Sequence, residues 1–234
     1  MIRKFLIITA TLLLNVCMTM ASDFDFIFSD STLRIDYIFS GNADVQMISV
    51  KEIKKSPHWA GRRTNLQTVP LDGNGDITIY DASTNDVLYK NSFSSLFQEW
   101  LSTPEAMETN RSFEFTLLVP KPHSKVVAEV VLRNNKNQAT ATFRHTIMPN
   151  DVLIKDMTAQ KPEPYKYLHK AGNPNECIDI AIVAEGYTKK EMKHFLKDAQ
   201  TAADEILSYE PFSRYADKIN FVTVMCPSID TDVS

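Results

Sequence analysis

The sequence has few cysteines, and beyond its first residues it has no long apolar run and no run of like charges. Only Cys17, Cys177 and Cys226 occur in 234 residues. No stretch after residue 21 is apolar enough to span a membrane, which requires about 20 apolar residues. Internal repeats and low-complexity segments are also missing. These absences exclude a transmembrane span in the mature chain and leave a globular protein.

The first 21 residues have the layout of a secretory signal peptide. Arg3 and Lys4 give a positive start, residues 5–14 are almost wholly apolar, and small residues follow up to Ala21. Two alternatives stay open, an uncleaved anchor and a lipoprotein signal ending at Cys17, although Val16 is larger than lipoprotein signals usually place there. We expect an exported protein, located in the periplasm, on the cell surface or outside the cell.

Removal of residues 1–21 leaves 213 residues, enough for one large domain or two small ones. The leader holds two of the 25 basic residues and none of the 29 acidic ones, so the mature chain carries a net charge of −6. Nucleic-acid binding calls for a basic patch, and this acidity therefore argues against nucleic acid as a partner.

Residues 22–147 are predicted to form an antiparallel β-sandwich. Short alternating or apolar stretches recur between turn residues, and about seven such strands at this spacing are typical of that fold. A short helix or wide loop is expected at residues 95–101. The predicted strands are residues 32–39, 45–53, 76–81, 87–89, 112–119, 125–132 and 139–147.

Residues 72–76 of this domain begin like a calcium-binding loop. That motif needs glycine at its sixth position and glutamate at its twelfth, where this chain has Ile77 and Ser83. A tight turn is the favoured interpretation.

Two aromatic segments have a functional and a structural interpretation. His58 and Trp59 follow two lysines and precede two arginines. This composition is typical of an exposed contact patch or of a solvated loop, and we favour the loop. Phe93, Phe97 and Trp100 have near-helical spacing, which favours a place in the core over a ligand platform.

Residues 148–176 are predicted to be a linker. Four prolines interrupt them, at positions 149, 162, 164 and 174, and proline disfavours both helices and central strands. Segments of this composition usually separate domains.

Residues 177–234 begin as a βαβ unit. An apolar strand at 178–184, of the kind covered on both faces in a parallel sheet, runs into the turn Glu185-Gly186-Tyr187. Thr188 and Glu191 form a capping box, and apolar residues then recur with helical spacing to about Tyr209. A second strand follows at 219–225. The fold class is therefore a two-domain chain, an all-β antiparallel sandwich followed by the start of an α/β domain.

Parallel strands have a consequence for the cysteines. Cys177 would lie at the start of one strand and Cys226 at the end of the other, about 20 Å apart along the strands. A disulfide needs Cα atoms within about 7 Å, so we predict two free, largely buried thiols. One βαβ unit also cannot cover both faces of its own sheet, and we expect a truncated domain; packing against the β-sandwich is the alternative.

Two stretches of the chain are especially specific, Phe-Gln-Glu-Trp at residues 97–100 and Glu-Gly-Tyr-Thr at residues 185–188. Together with several shorter stretches, they resemble the IgA peptidase family of bacterial zinc metallopeptidases. The resemblance covers nearly all of the mature chain, both the family's amino-terminal β-domain and the opening of its catalytic domain. The other matching stretches are residues 80–81, 93–96, 103–106, 111–113, 182–184, Phe195, Asp198, residues 210–212, Asn220 and Phe221.

The resemblance implies hydrolysis of peptide bonds by a zinc-bound water, with zinc held by a His-Glu-x-x-His helix. None of His58, His123, His145, His169 and His194 is followed by glutamate. Glu191 and His194 lie one helical turn apart and are interpreted as a solvated pair. No catalytic, cofactor or metal residue is therefore assigned in this chain, and zinc is expected only for the full-length family member. The resemblance implies only a location for the turn at residues 185–187. The turn lies at the carboxyl end of a parallel strand, where sites of α/β proteins tend to form.

Three hypotheses follow from the sequence. The first is the amino-terminal portion of a secreted zinc metallopeptidase, inactive alone, with a protein or glycoprotein as the substrate of the whole enzyme. The second is a non-catalytic exported β-sandwich module for binding or adhesion. The third is a remnant that folds only in its first domain. We favour the first.

Overall fold

The computed structural model describes residues 23–69, 71–174 and 176–232. The predicted signal peptide and Cys17 lie outside these residues. The chain divides into two compact units, one up to Trp59 together with Arg63–Lys155, and one of Ala60–Arg62 and Asp156–Ser234. No helix among the described residues is both long and apolar enough to cross a membrane.

The first unit consists of two four-stranded sheets, with strand orders β5-β1-β2-β8 and β4-β3-β6-β7. Strand β1 pairs antiparallel with its neighbours β2 and β5, and all neighbouring strands of the second sheet are antiparallel. The elements are α1 (Asp23–Ile27), β1 (Phe28–Gly41), β2 (Gln46–Pro57), β3 (Gly75–Asp81), β4 (Val87–Phe93), α2 (Leu96–Trp100), β5 (Arg111–Pro122), β6 (Val126–Arg133), β7 (Ala139–Ile147) and β8 (Lys155–Asp156).

Alternation along the strands forms the core of this unit. Every second residue of β1 from Leu33 to Phe39 is fully buried, as are the corresponding residues of β3 and β6. A period of two puts these side chains on one face of each sheet. Because both buried faces belong to one hydrophobic cluster, the two sheets pack face to face, and the predicted β-sandwich is confirmed.

The predicted short helix is present as α2, between β4 and β5. Phe97 is fully buried, with its ring centroid 6.0 Å from that of Trp100 and 5.6 Å from that of Phe113. Phe93 also packs against this core. The prediction that these aromatic residues belong to the core is confirmed.

The turn at residues 72–76 makes structural contacts. The Asn74 carbonyl accepts hydrogen bonds from the Gln98 amide and from the Arg133 N–H, and Arg133 Nε lies 2.8 Å from the Asp76 carboxylate. Gly73 has no room for a side chain, since a Cβ there would lie 2.1 Å from the Phe93 carbonyl oxygen. These contacts agree with the tight-turn interpretation.

The loop after β2 differs in part from the expected solvated loop. His58 is exposed and has a left-handed φ of 60°, but Trp59 is only 6% exposed and packs edge-to-face on Tyr89. The Asp30 carboxylate fixes the loop by binding His58, the Trp59 N–H and Arg63. The His58 hydrogen bond, followed by that of the Trp59 N–H, lowers the pKa of Asp30 to about 2.

The second unit has a three-stranded sheet of order β10-β11-β9. Its elements are β9 (Tyr165–His169), β10 (Ile178–Val183), α3 (Met192–Ser208) and β11 (Ile219–Val224). The strands β10 and β11 are parallel, as the βαβ prediction requires, and β9 is antiparallel to β11. Strand β9 lies within the segment predicted as a linker. The prolines of that segment fall outside β9, so they do not interrupt it.

One face of this sheet packs on α3, where Ala203 contacts Ile219 and Phe221. The helix ends at Ser208, with Tyr209 as its C-cap, close to the predicted end. Burial of β10 is lower than predicted: it is an edge strand, and Ile178 and Val183 are 65% and 56% exposed. Cys177 and Cys226 are free, as predicted, but both are partly exposed rather than largely buried.

A buried carboxylate ties the three main strands of the first sheet together. Asp36 of β1 is 4% exposed and accepts hydrogen bonds from Arg34 Nε at 2.7 Å, Thr116 Oγ1 at 2.7 Å and Lys54 Nζ at 2.9 Å. Burial by itself would raise the pKa of Asp36, but the three donors and the Arg34 charge outweigh it. The pKa is therefore held well below the usual range.

We expect Asp36→Asn to lower the free energy of unfolding by about 1–3 kcal/mol, because it leaves buried donors without their charged acceptor. Glu114→Gln is the control, since it breaks only the exposed ion pair with Lys51 and should cost under about 1 kcal/mol. Urea denaturation at pH 7 measures both changes. Equal effects of the two substitutions would contradict a special role for Asp36.

A second polar contact joins the two sheets of the first unit. The Tyr37 hydroxyl of β1 lies 2.7 Å from Nε2 of His145 in β7. Burial raises the pKa of Tyr37 far above its usual range, so the hydroxyl keeps its proton and donates it. Burial also lowers the pKa of His145 below 6.5, which keeps the ring neutral and able to accept.

Folding stability should therefore fall when the pH drops below about 6.5. Between pH 6.5 and the lowered pKa of His145 in the folded protein, His145 is protonated in the unfolded chain but stays neutral in the folded protein. Protonation therefore favours the unfolded chain in this range. Denaturant unfolding at pH 7.5 and pH 5.0 measures the loss. His145→Gln keeps an acceptor without titrating and should reduce the pH dependence, whereas His123→Gln, at an exposed histidine, should not. An unchanged pH dependence in His145→Gln would refute this assignment.

Candidate functional site at the end of the parallel strands

The turn Glu185-Gly186-Tyr187 directly follows β10, at the carboxyl end of the parallel strand pair. Pairing continues one residue past the strand, since the Ala184 N–H donates to the Val224 carbonyl at 3.1 Å. Gly186 then has a φ of 77°, a conformation that side-chain-bearing residues rarely adopt. The chain thereby reverses at the sheet edge and leads into the helix.

The segment after β11 binds this turn through its backbone. The Gly186 N–H donates to Ser228 Oγ at 2.8 Å, and its carbonyl accepts from the Asp232 N–H at 2.9 Å. The Ser228 N–H donates to the Tyr187 carbonyl at 2.9 Å. With its polar backbone groups satisfied in this way, the turn has a structural role. Ser228 and Asp232 lie in a short polar segment with no pattern that predicts these contacts.

The Tyr187 side chain lies over the first turns of α3. Its ring centroid is 5.4 Å from that of Phe195, and its hydroxyl donates to Asp198 Oδ2 at 3.0 Å. His194 Nδ1 lies 3.2 Å from the same oxygen. The hydrogen bond to Asp198 raises the pKa of Tyr187, because the carboxylate favours the protonated phenol. Asp198 therefore positions both side chains, and Tyr187 is a poor nucleophile near neutral pH.

Glu191 has a structural role as the predicted capping residue. Its carboxylate accepts hydrogen bonds from the Thr188 N–H at 2.9 Å, the Thr188 hydroxyl at 2.6 Å and the Thr231 hydroxyl at 3.0 Å. The hydrogen bonds from Thr188 lower the pKa of Glu191. The capping box is confirmed. Glu191 and His194, interpreted as a solvated pair, each have a further partner: Glu191 binds Thr188 and Thr231, and the exposed His194 pairs with Asp198.

The histidines of the chain do not converge. His58 binds Asp30, His123 lies 3.2 Å from the Asp25 carbonyl, and His169 lies 2.9 Å from the Ala216 carbonyl. His145 and His194 bind Tyr37 and Asp198. Across residues 23–69, 71–174 and 176–232, no group of three or more His, Cys, Asp or Glu residues could hold a metal ion. The described residues therefore do not fit a zinc ion, which needs at least three protein ligands.

The chain thus combines a β-sandwich unit that has a helical insertion with a βαβ unit that has a glycine turn at its strand end. Residues 23–144 match the family model described as Peptidase M64 N-terminus. Residues 167–234 match the model described as IgA Peptidase M64. The chain therefore belongs to the M64 family of IgA peptidases, a family of metallopeptidases. A comparison with curated proteins found no match.

Replacement of Asp198 by Asn should lower the pKa of Tyr187 towards 10, because the negative charge that opposes ionisation of the phenol is removed. An NMR pH titration with labelled tyrosine rings measures this pKa. Asp204→Asn is the matched control on the same helix, since Asp204 accepts from Gln200 and not from Tyr187. A Tyr187 pKa that is equal in both variants would contradict the role assigned to Asp198.

Proposed function

We propose that this chain is the amino-terminal portion of an exported zinc metallopeptidase of the IgA peptidase type and that it is not catalytic alone. The observation that carries the proposal is the pair of family matches, which together extend over both units. The leader at residues 1–21 supports export. In this proposal a protein or glycoprotein is the substrate of the complete enzyme.

The absence of catalysis by this chain is proposed on two grounds. No histidine in the sequence is followed by glutamate, so the His-Glu-x-x-His motif is missing. The described residues, moreover, bring no set of metal ligands together. The backbone groups of Gly186, the Tyr187 carbonyl and the Tyr187 hydroxyl are engaged in structural hydrogen bonds. In the whole enzyme the turn would form one edge of the region where α/β proteins place their sites.

The alternative is a non-catalytic β-sandwich module for binding or adhesion. It is favoured by the loops that meet at one end of the first unit, since loops at the ends of sandwiches commonly carry binding sites. The two proposals differ in the role of the second unit. It begins a catalytic domain in the first proposal and contributes nothing to activity in the second.

The purified chain, incubated with zinc and desalted, should retain far less than one zinc ion per molecule and should not hydrolyse protein substrates. Metal analysis measures the retained zinc, and a peptide-release assay with and without a chelator measures hydrolysis. Stoichiometric zinc together with chelator-sensitive hydrolysis would sink the proposal of an inactive portion. His194→Gln is the variant to compare if any zinc is retained, since His194 already pairs with a carboxylate on α3.

Sequencing the gene past the codon for Ser234 separates the two proposals directly. An open frame that continues into a His-Glu-x-x-His helix supports the metallopeptidase proposal. A stop codon at that point favours the binding module.

A further inference from the structure

One end of the first unit carries a surface cavity that is open to solvent. The turn between β1 and β2, the end of α2 and the turn between β6 and β7 meet there and border a space of about 340 Å³. Ligand pockets of proteins have volumes of about 300–1,000 Å³, so this space accommodates a small ligand such as one sugar ring.

The lining of this cavity is rich in groups that both donate and accept hydrogen bonds. Amides and hydroxyls from three separate segments line the space, and Leu101 adds an apolar surface. Some of these groups already bond within the protein, since Thr140 Oγ1 donates to Gln46 Oε1 and Ser102 Oγ donates to the Glu99 carbonyl. Each amide and hydroxyl keeps further donors or acceptors for a ligand. Sugar hydroxyls likewise donate and accept at once, and amide and hydroxyl side chains match them. The side chains in question are Gln46, Ser102, Asn135, Gln138 and Thr140.

The charge of the lining has one sign. Two basic side chains, Arg133 and Lys136, line the cavity, and no acidic side chain does. Arg133 is neutralised by Asp76, with Nε 2.8 Å from the carboxylate. Lys136 is exposed, and within the described parts of the chain its ammonium group has no ion-pair partner. The cavity thus offers one uncompensated positive charge, although the mature chain as a whole is acidic.

Buried and turn-forming groups hold the cavity in shape. Gln98 is 8% exposed, and its amide donates to the Asn74 carbonyl and, at 2.9 Å, to the Arg133 carbonyl. The Asn134 carboxamide accepts from the N–H groups of Lys136 at 2.9 Å and Gln138 at 3.0 Å. This turn is therefore ordered before any ligand binds, which reduces the entropic cost of binding.

We propose that this cavity, lined by Lys136 and the amide and hydroxyl side chains around it, binds a sugar that bears a carboxylate. The ring hydroxyls bind the amides and hydroxyls, the Leu101 side chain contacts a C–H face of the ring, and the carboxylate pairs with Lys136. This binding site is independent of any peptidase activity, so its failure would leave the proposed function unaffected.

The test is a titration of the purified protein with glucuronic acid, followed by NMR of backbone amides. Glucuronic acid should shift resonances of residues 134–140. It should also bind more tightly than glucose, which lacks the carboxylate, or acetate, which lacks the hydroxyls. Lys136→Gln should weaken binding about fivefold, the size of one exposed ion pair, while Lys136→Arg should keep it. Lys125→Gln is the matched control, at an exposed lysine in the turn between β5 and β6 at the other end of the sandwich.

Three results of this titration would overturn the proposal. They are the absence of shifts around the cavity, binding of acetate as tight as that of glucuronic acid, and equal weakening by Lys136→Gln and Lys125→Gln. Competition experiments identify the source of the sugar, with a uronic-acid oligosaccharide in one arm and a sialic-acid-terminated trisaccharide in the other. Competition by either supports the proposal, and failure of both overturns it.

Discussion

The burial of one face of β1 against the opposite sheet is the constraint on which the first unit depends. This central strand places Leu33, Ile35, Tyr37 and Phe39 in the core, where all four are fully buried. Each such side chain contributes roughly 1.5–3 kcal/mol on leaving water, so disturbing this face of β1 is costly. A one-residue slip of β1 would turn this apolar face outward. Because that slip is unfavourable, the register of β1 with β2 and β5 is fixed, and so are the positions of the loops at the strand ends.

The same packing explains why Asp36, Gln98 and Tyr37 are all hydrogen-bonded. A polar group that is removed from water is costly unless it is hydrogen-bonded. Asp36 has three donors, Gln98 binds two carbonyls of neighbouring turns, and Tyr37 reaches His145 in the other sheet. These contacts connect strands that hydrophobic burial alone would hold less specifically, and they give the loops at the α2 end a defined shape.

In the second unit, hydrogen bonds hold a turn and two side chains in place instead of joining strands. Its glycine turn is closed by Ser228 and Asp232, and Asp198 holds Tyr187 and His194 on one side of the helix. The family match begins at residue 167, within β9, the strand that completes this sheet. The turn at positions 185–188 lies within this match, and its hydrogen bonds shape the backbone at the strand end.

Local pattern alone determined much of this protein. Period-two alternation predicted the strands, helical spacing predicted α3, and the capping pair Thr188 and Glu191 predicted where its helical turn begins, because these signals lie between residues close in the chain. Tertiary structure decided the rest. Strand β9 is short and lies between prolines. Trp59 is buried in the core, with its ring against Tyr89. The cavity at Lys136 is made by segments up to 97 residues apart, from Ala43 to Thr140. Contacts between distant segments leave no periodic signal in the sequence, since the packing of the whole unit selects them.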